Sequence, residues 1–317
     1  MTEREKDLEI KELKKSVAKL RLEANMRKSL SQQLTLQKKV ADDSKAEALS
    51  KTKELEAISA QLSRYLSPQI HEQIFSGKQT GEVKSYRKKL TIFFSDIVGF
   101  TSISDELESE ELTNLLNFYL NEMSHIVLKC GGTIDKYIGD AVMVFFGDPD
   151  TNGPEEDAKR CVGMAIEMQN RMRELDTYWG KHFGLREALQ IRVGINTGFC
   201  TVGNFGSQER LDYTAIGRAV NLASRLEHLS GSGSINVSEE TYLLVKPYFK
   251  FQKAKDAEVK GFSRKIKFYP LDVVGTEALN IVNLEGEGFE LRIDKEILTP
   301  QELEKLKESL NSLKLDF

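Results

Sequence analysis

Cysteine is scarce in this chain. Its 317 residues hold three, Cys130, Cys161 and Cys200, too few and too far apart for a disulfide framework or for the paired spacing of a zinc site. They are expected as buried thiols. Tryptophan occurs once, proline six times, and aromatic residues make up 8% of the chain. No run of about 18 consecutive apolar residues is present, which excludes a membrane-spanning helix. The charged start MTEREKDLEI has no apolar core of a signal peptide, so the expected location is cytoplasmic. No excess of positive charge exists either. A formal net charge of -4 gives no basic footprint for nucleic acid.

Residues 1 to 62 contain no glycine, no proline and no aromatic residue. Every seventh position from Leu13 reads Leu13, Leu20, Arg27, Leu34, Ala41, Ala48, Leu55 and Leu62, the seam of a coiled coil that needs a partner helix. The alternative is a solvated single helix, against which the sustained spacing argues. The companion positions Ile10, Val17 and Ala24 weaken into Ser31, Lys38, Lys45 and Thr52 before Ile58 and Tyr65 restore them. Residues 1–63 are therefore read as a long parallel coiled-coil signalling helix. Pro68 ends it, because the preceding Ser67 is biased away from helical backbone. Residues 64–89 read as a transducer or linker carrying a short helix from Gln69 to Phe75.

From Leu90 the pattern is strand, helix (Glu108 to Lys129), two strands joined through Gly139-Asp140, and a second long helix. Strands through IRVGINTG, CTVGN and DYTAIG and a helix AVNLASRLE follow. The order is α+β, and its β-α-β-β-α-β core predicts a ferredoxin-like sheet with helices on one face. The domain runs over residues 90–275. Residues 276–317 form an extension ending in a helix that starts at Thr299-Pro300.

Two aspartates stand where divalent-cation chemistry is expected. Asp96 ends an apolar strand in Ser95-Asp96-Ile97-Val98-Gly99-Phe100-Thr101, before a glycine turn that can aim backbone N–H groups at phosphates. Asp140 sits at a hairpin tip in Lys136-Tyr137-Ile138-Gly139-Asp140. Two carboxylates sharing one or two Mg2+ ions make a phosphoryl-transfer site, although either aspartate alone is also an ordinary turn residue.

Taken in order, SDIVGFT, KYIGDAVMVFFGD, IRVGINTG and RLDYTAIGRAVNLASRLE resemble the catalytic domain of class III adenylyl and guanylyl cyclases, over about Leu90 to Val274. The DYTAIG form resembles the bacterial multidomain subgroup, which is similar to soluble animal adenylyl cyclase. The resemblance implies two Mg2+ (or Mn2+) ions per site, held by Asp96, Asp140 and the Ile97 carbonyl. It implies that Asn221 orients the ribose and Arg225 stabilises charge on the α-phosphate. Gly99, Phe100, Thr101 and Lys260 would hold the remaining phosphates, with Arg210 as an auxiliary contact. Lys136 and Thr214 would choose the base. A lysine only donates, which suits N1 of adenine, and guanylyl cyclases carry Glu there; many adenylyl cyclases have Asp where Thr214 stands. A threonine hydroxyl donates or accepts and so is permissive.

In this family the metal aspartates and the base-selecting set come from different subunits. The chain carries both, which implies a homodimer with two shared sites, no intact site in a monomer, and ATP as substrate. The coil before the catalytic domain resembles the signalling helix of sensor-linked cyclases, so an upstream sensor outside this sequence is expected. Guanylate cyclase is the nearest rival. A catalytically inactive cyclase-like coiled-coil module is the alternative from a different class, opposed by retention of every implied position. A diguanylate cyclase is opposed by the lack of a GGDEF string.

Overall fold

The computed structural model describes residues 3–63, 65–77, 84–207, 209–272, 281–286, 289–294 and 299–312. It divides into two units, Met1–Leu66 and Ser67–Phe317. The first is a single helix, α1 (Glu3–Leu62), about 90 Å long at 1.5 Å per residue. Leu13, Leu20, Leu34, Leu55 and Leu62 all stand exposed along it. The rest of the described helix is exposed almost throughout as well.

The second unit opens with α2 (Pro68–Phe75), started by its proline. Then follow β1 (Ser85–Ile97), α3 (Phe100–Glu106), α4 (Ser109–Lys129), β2 (Thr133–Ile138), β3 (Ala141–Phe146), α5 (Pro154–Glu174), α6 (Asp176–Phe183) and β4 (Ile191–Gly206). After them come β5 (Leu211–Ile216), α7 (Arg218–His228), β6 (Ile235–Ser238), α8 (Glu239–Val245), β7 (Lys255–Ala257) and β8 (Ile266–Pro270). The described part of the C-terminal extension adds a hairpin, β9 (Ile281–Gly286) and β10 (Phe289–Asp294), and the helix α9 (Pro300–Ser312). Thr299 caps α9 by bonding reciprocally with Glu302. The sheet runs β2-β3-β1-β4-β6-β8-β7, with β5 also paired to β4. Its first four strands have the ferredoxin-like order, and β6, β7 and β8 extend it.

Three expectations change. The sheet begins at Ser85 rather than Leu90, because β1 pairs with β4 over its whole length, from Ser85 opposite Gly203 to Ile97 opposite Ile191. Its first residues are solvated on both faces, so no hydrophobic period announces them. IRVGINTG and CTVGN are likewise one strand, β4. Helices also cover both faces. Phe93 and Ile97 of β1 point into the core shared with α4 and α5, while Leu90, Ile92 and Phe94 point the other way, into a cluster that includes Ala223 of α7. A strand apolar on both faces needs cover on both. Cys161 and Cys200 are buried as expected, and Cys130 is half-buried.

The seat of α7 is Gly194. A Cβ built there would lie 2.1 Å from the Glu227 nitrogen and 2.3 Å from the Ala223 oxygen, both backbone atoms of α7. Nothing flexible is available to move aside. Gly194→Ala is therefore expected to destabilise the domain by about 3 kcal/mol, since overpacking against backbone leaves no rotamer to relax. A drop in melting temperature of roughly 10 °C is the corresponding readout; an unchanged melt would mean that α7 is not held this closely.

Candidate active site

β1 and β3 are neighbours, which brings the end of the first beside the start of the second. The β2–β3 hairpin turns through two residues, Gly139 and Asp140, and Gly139 takes a φ of 65° at the first position, where glycine serves a tight hairpin. Asp140 is thereby placed against Ile97, whose N–H donates to its Oδ2 at 3.0 Å. Burial, then contact with Asp96, pushes the Asp140 carboxyl up to about 7. The sequence pair thus meets in space. Two carboxylates crowded at the end of one strand repel each other, and a cation relieves that repulsion.

Arg192 is the residue that sequence reasoning missed here. It stands directly opposite Asp96 in the β1–β4 ladder and donates to Asp96 Oδ2 at 2.6 Å. Its Nε lies 2.6 Å from Glu227 Oε1 on α7, and His228 Nδ1 is 2.7 Å from the other oxygen of Glu227. One guanidinium therefore ties β1, β4 and α7 together at the site. The only signal in the sequence was an arginine two residues before Gly194.

Asn221 and Arg225 sit one turn apart on α7, outside its buried stripe of Leu222, Ala223, Leu226 and Glu227. Among the described residues, no hydrogen bond or ion pair joins either of them to Asp96 or Asp140 of the same chain. Gly99 turns the backbone with a φ of 72°, and Phe100 and Thr101 open α3. The first α3 bonds back to Gly99 begin at Ser102, so the helix makes no use of the Phe100 and Thr101 N–H groups. Lys260 lies on an exposed turn. Arg210, between β4 and β5, is solvent-exposed with its Nε 3.9 Å from Asp212.

Lys136 and Thr214 come together through a third residue, Asp135. The Thr214 hydroxyl donates to Asp135 Oδ2 at 2.7 Å, the Ala215 N–H donates to the same oxygen at 3.1 Å, and Lys136 Nζ is 3.3 Å from Asp135 Oδ1. Burial pushes the Asp135 carboxyl up, opposed by those two bonds and the Lys136 charge.

Among the described residues no group of three or more His, Cys, Asp or Glu side chains gathers as a metal cage. Asp96 and Asp140 still suit Mg2+, which takes one or two carboxylates and fills its shell with water and substrate phosphates.

Residues 82–273 match the family model described as the adenylate and guanylate cyclase catalytic domain. The chain is 34% identical over 210 residues to adenylate cyclase 1 of Rhizobium meliloti, covering 65% of this chain and 30% of that one. It thus spans less than a third of that relative's length. Among solved structures, the adenylyl cyclase CyaB from P. aeruginosa is 56% identical, with a TM-score of 0.58, covering 60% of this chain and 96% of the other. The guanylyl cyclase Cya2 is 34% identical, with a TM-score of 0.56, covering 59% and 93%. No helix among the described residues is long and apolar enough to cross a membrane. With the family's own sheet built around the paired aspartates and more than half the chain inside the match, this chain belongs to the adenylate and guanylate cyclase family.

Proposed function

We propose that the chain is an adenylate cyclase that converts ATP to 3′,5′-cyclic AMP and pyrophosphate as a homodimer. The observation that carries this is the meeting of Asp96 and Asp140 at Ile97, with Lys136 and Thr214 joined elsewhere on the same sheet. Two divalent ions, Mg2+ or Mn2+, bound at Asp96, Asp140 and the Ile97 carbonyl would supply Lewis-acid polarisation of the ribose hydroxyl and the phosphates. Asn221 holds the ribose so that its 3′ oxygen lies in line with the α-phosphorus. As the new P–O bond forms, the 3′ hydroxyl gives its proton to water, the bond from the α-phosphorus to the oxygen bridging to the β-phosphate breaks, and pyrophosphate leaves with that electron pair. Arg225 meets the charge that develops on the α-phosphate, where a preorganised donor is worth about 10²-fold or more. Lys260 and the Gly99, Phe100 and Thr101 backbone hold the departing phosphates, with Arg210 at the margin.

Asn221, exposed, and Arg225, half-buried, lie off the buried stripe of α7, which supports a site completed across two chains. So do two exposed apolar side chains, Ile138 at 54% and Ile216 at 46%, each two residues along its strand from a member of the base-selecting pair, which a second catalytic domain would cover. The bare leucines of α1 supply a second reason to pair.

Adenine is assigned on Lys136. Purified chain incubated with Mg2+ or Mn2+ and either ATP or GTP is expected to yield cyclic AMP in preference to cyclic GMP; absence of either product would end the proposal. Lys136→Glu replaces three donors with an acceptor and should lower the ATP-to-GTP ratio of kcat/KM by about 100-fold, since a site built for one hydrogen-bond pattern rejects its opposite strongly. An unchanged ratio would remove Lys136 from the base site.

A further inference from the structure

Asp135 and Lys136 are consecutive in a strand, so regular pleating would send their side chains to opposite faces. They meet because the β2–β3 register slips between them: Ile134 pairs with Val144 and Lys136 already with Met143. Asp135 is the extra residue of a β-bulge, a device that re-aims side chains beside sites. Its side chain is fully buried although Lys136, its neighbour, reaches solvent. Only donors surround it: the Thr214 hydroxyl and the Ala215 N–H on Oδ2, and the Lys136 ammonium beside Oδ1. Two donors, one cation and no acceptor match an ionised carboxylate, which only accepts.

The consequence falls on Thr214. A hydroxyl has one proton and two lone pairs, and this proton is committed to Asp135 at 2.7 Å. The competing acceptor, the Ala215 carbonyl, is 3.5 Å away, too far to hold it. Thr214 is itself buried, and what its oxygen has left to offer a partner is lone pairs alone. Adenine offers an N6 amino donor where guanine offers the O6 acceptor.

We propose that Asp135 is the positioning residue for base choice: it turns a permissive threonine into a dedicated acceptor for the adenine amino group and holds the Lys136 ammonium alongside. This rests on the assignment of Lys136 and Thr214 to the base. Oδ1 closes no hydrogen bond of its own, so at 3.3 Å the carboxylate holds the Lys136 ammonium alongside by charge.

The test compares kcat/KM for ATP, GTP and purine riboside triphosphate, which keeps the N1 acceptor but lacks the 6-amino group. Wild type is expected to favour ATP over the amino-less nucleotide by about tenfold, the worth of one hydrogen bond. Asp135→Ala should bring the two within about twofold and narrow the ATP-to-GTP ratio as well. Asp135→Asn, whose amide oxygen still accepts from Thr214, should keep the amino-group preference. Asp135→Val fills the same space should the alanine variant not fold. A general loss of structure lowers every nucleotide in proportion, and that result would overturn the proposal. If Thr214→Val abolishes the preference and the Asp135 variants do not, the proposal fails alone; if Thr214→Val also leaves it intact, the base assignment fails with it.

Discussion

Replacing Asp96 with alanine is expected to lower cyclic nucleotide formation by about 10³-fold or more, because two-metal chemistry contributes several kcal/mol of charge stabilisation and each 1.36 kcal/mol is a factor of ten. The fold should survive. Asp96 closes one side of an ion pair with Arg192, and Arg192 keeps its second partner, Glu227, so no lone buried charge is created. A melting temperature close to wild type together with a dimer on gel filtration would show that the loss is chemical. Residual turnover within tenfold of wild type would remove Asp96 from the metal site. Asp96→Asn should behave almost as badly, since an amide keeps the shape and lacks the charge that a hard cation needs.

Mixing two dead chains should restore activity. Asp96→Ala lacks one half of the proposed shared site and Arg225→Ala the other, so a mixed dimer holds one site with both defects and one with neither. Equal mixing with free exchange makes half the dimers mixed, each with one working site of two, and predicts roughly a quarter of wild-type activity. Each variant alone should stay at background. The two chains are refolded or co-expressed together so that exchange is complete. No recovery after proven exchange would place the whole site within one chain and leave the position of Arg225 off the buried stripe of α7 without a use.

The two aspartates were legible in the sequence because each ends a run whose period is plain: LTIFF before Asp96, and a hairpin marked by glycine before Asp140. Their meeting follows from strand order, which the β-α-β-β-α-β pattern predicts. The residues that tune the site were not legible. Arg192 gains its partner only through the β1–β4 register, and Asp135 reaches Lys136 only through a bulge, neither of which leaves a mark in hydrophobic spacing. The start of β1 escaped for a related reason: Ser85, Tyr86 and Arg87 are held by backbone pairing to β4 while they stay exposed to solvent. The second helical layer could have been foreseen, since Leu90, Ile92 and Phe94 are as apolar as the residues between them.

Where α7 crosses Gly194 of β4, backbone meets backbone with no side chain between them. Most packed contacts adjust by degrees, one methylene exchanged for another as a lineage drifts. This one has no intermediate settings. The residues carried by α7, Asn221 and Arg225 among them, are thereby insulated from gradual change in the core beneath them. Variation is channelled instead into the parts that can be edited a group at a time, such as the side chains of Lys136 and Thr214.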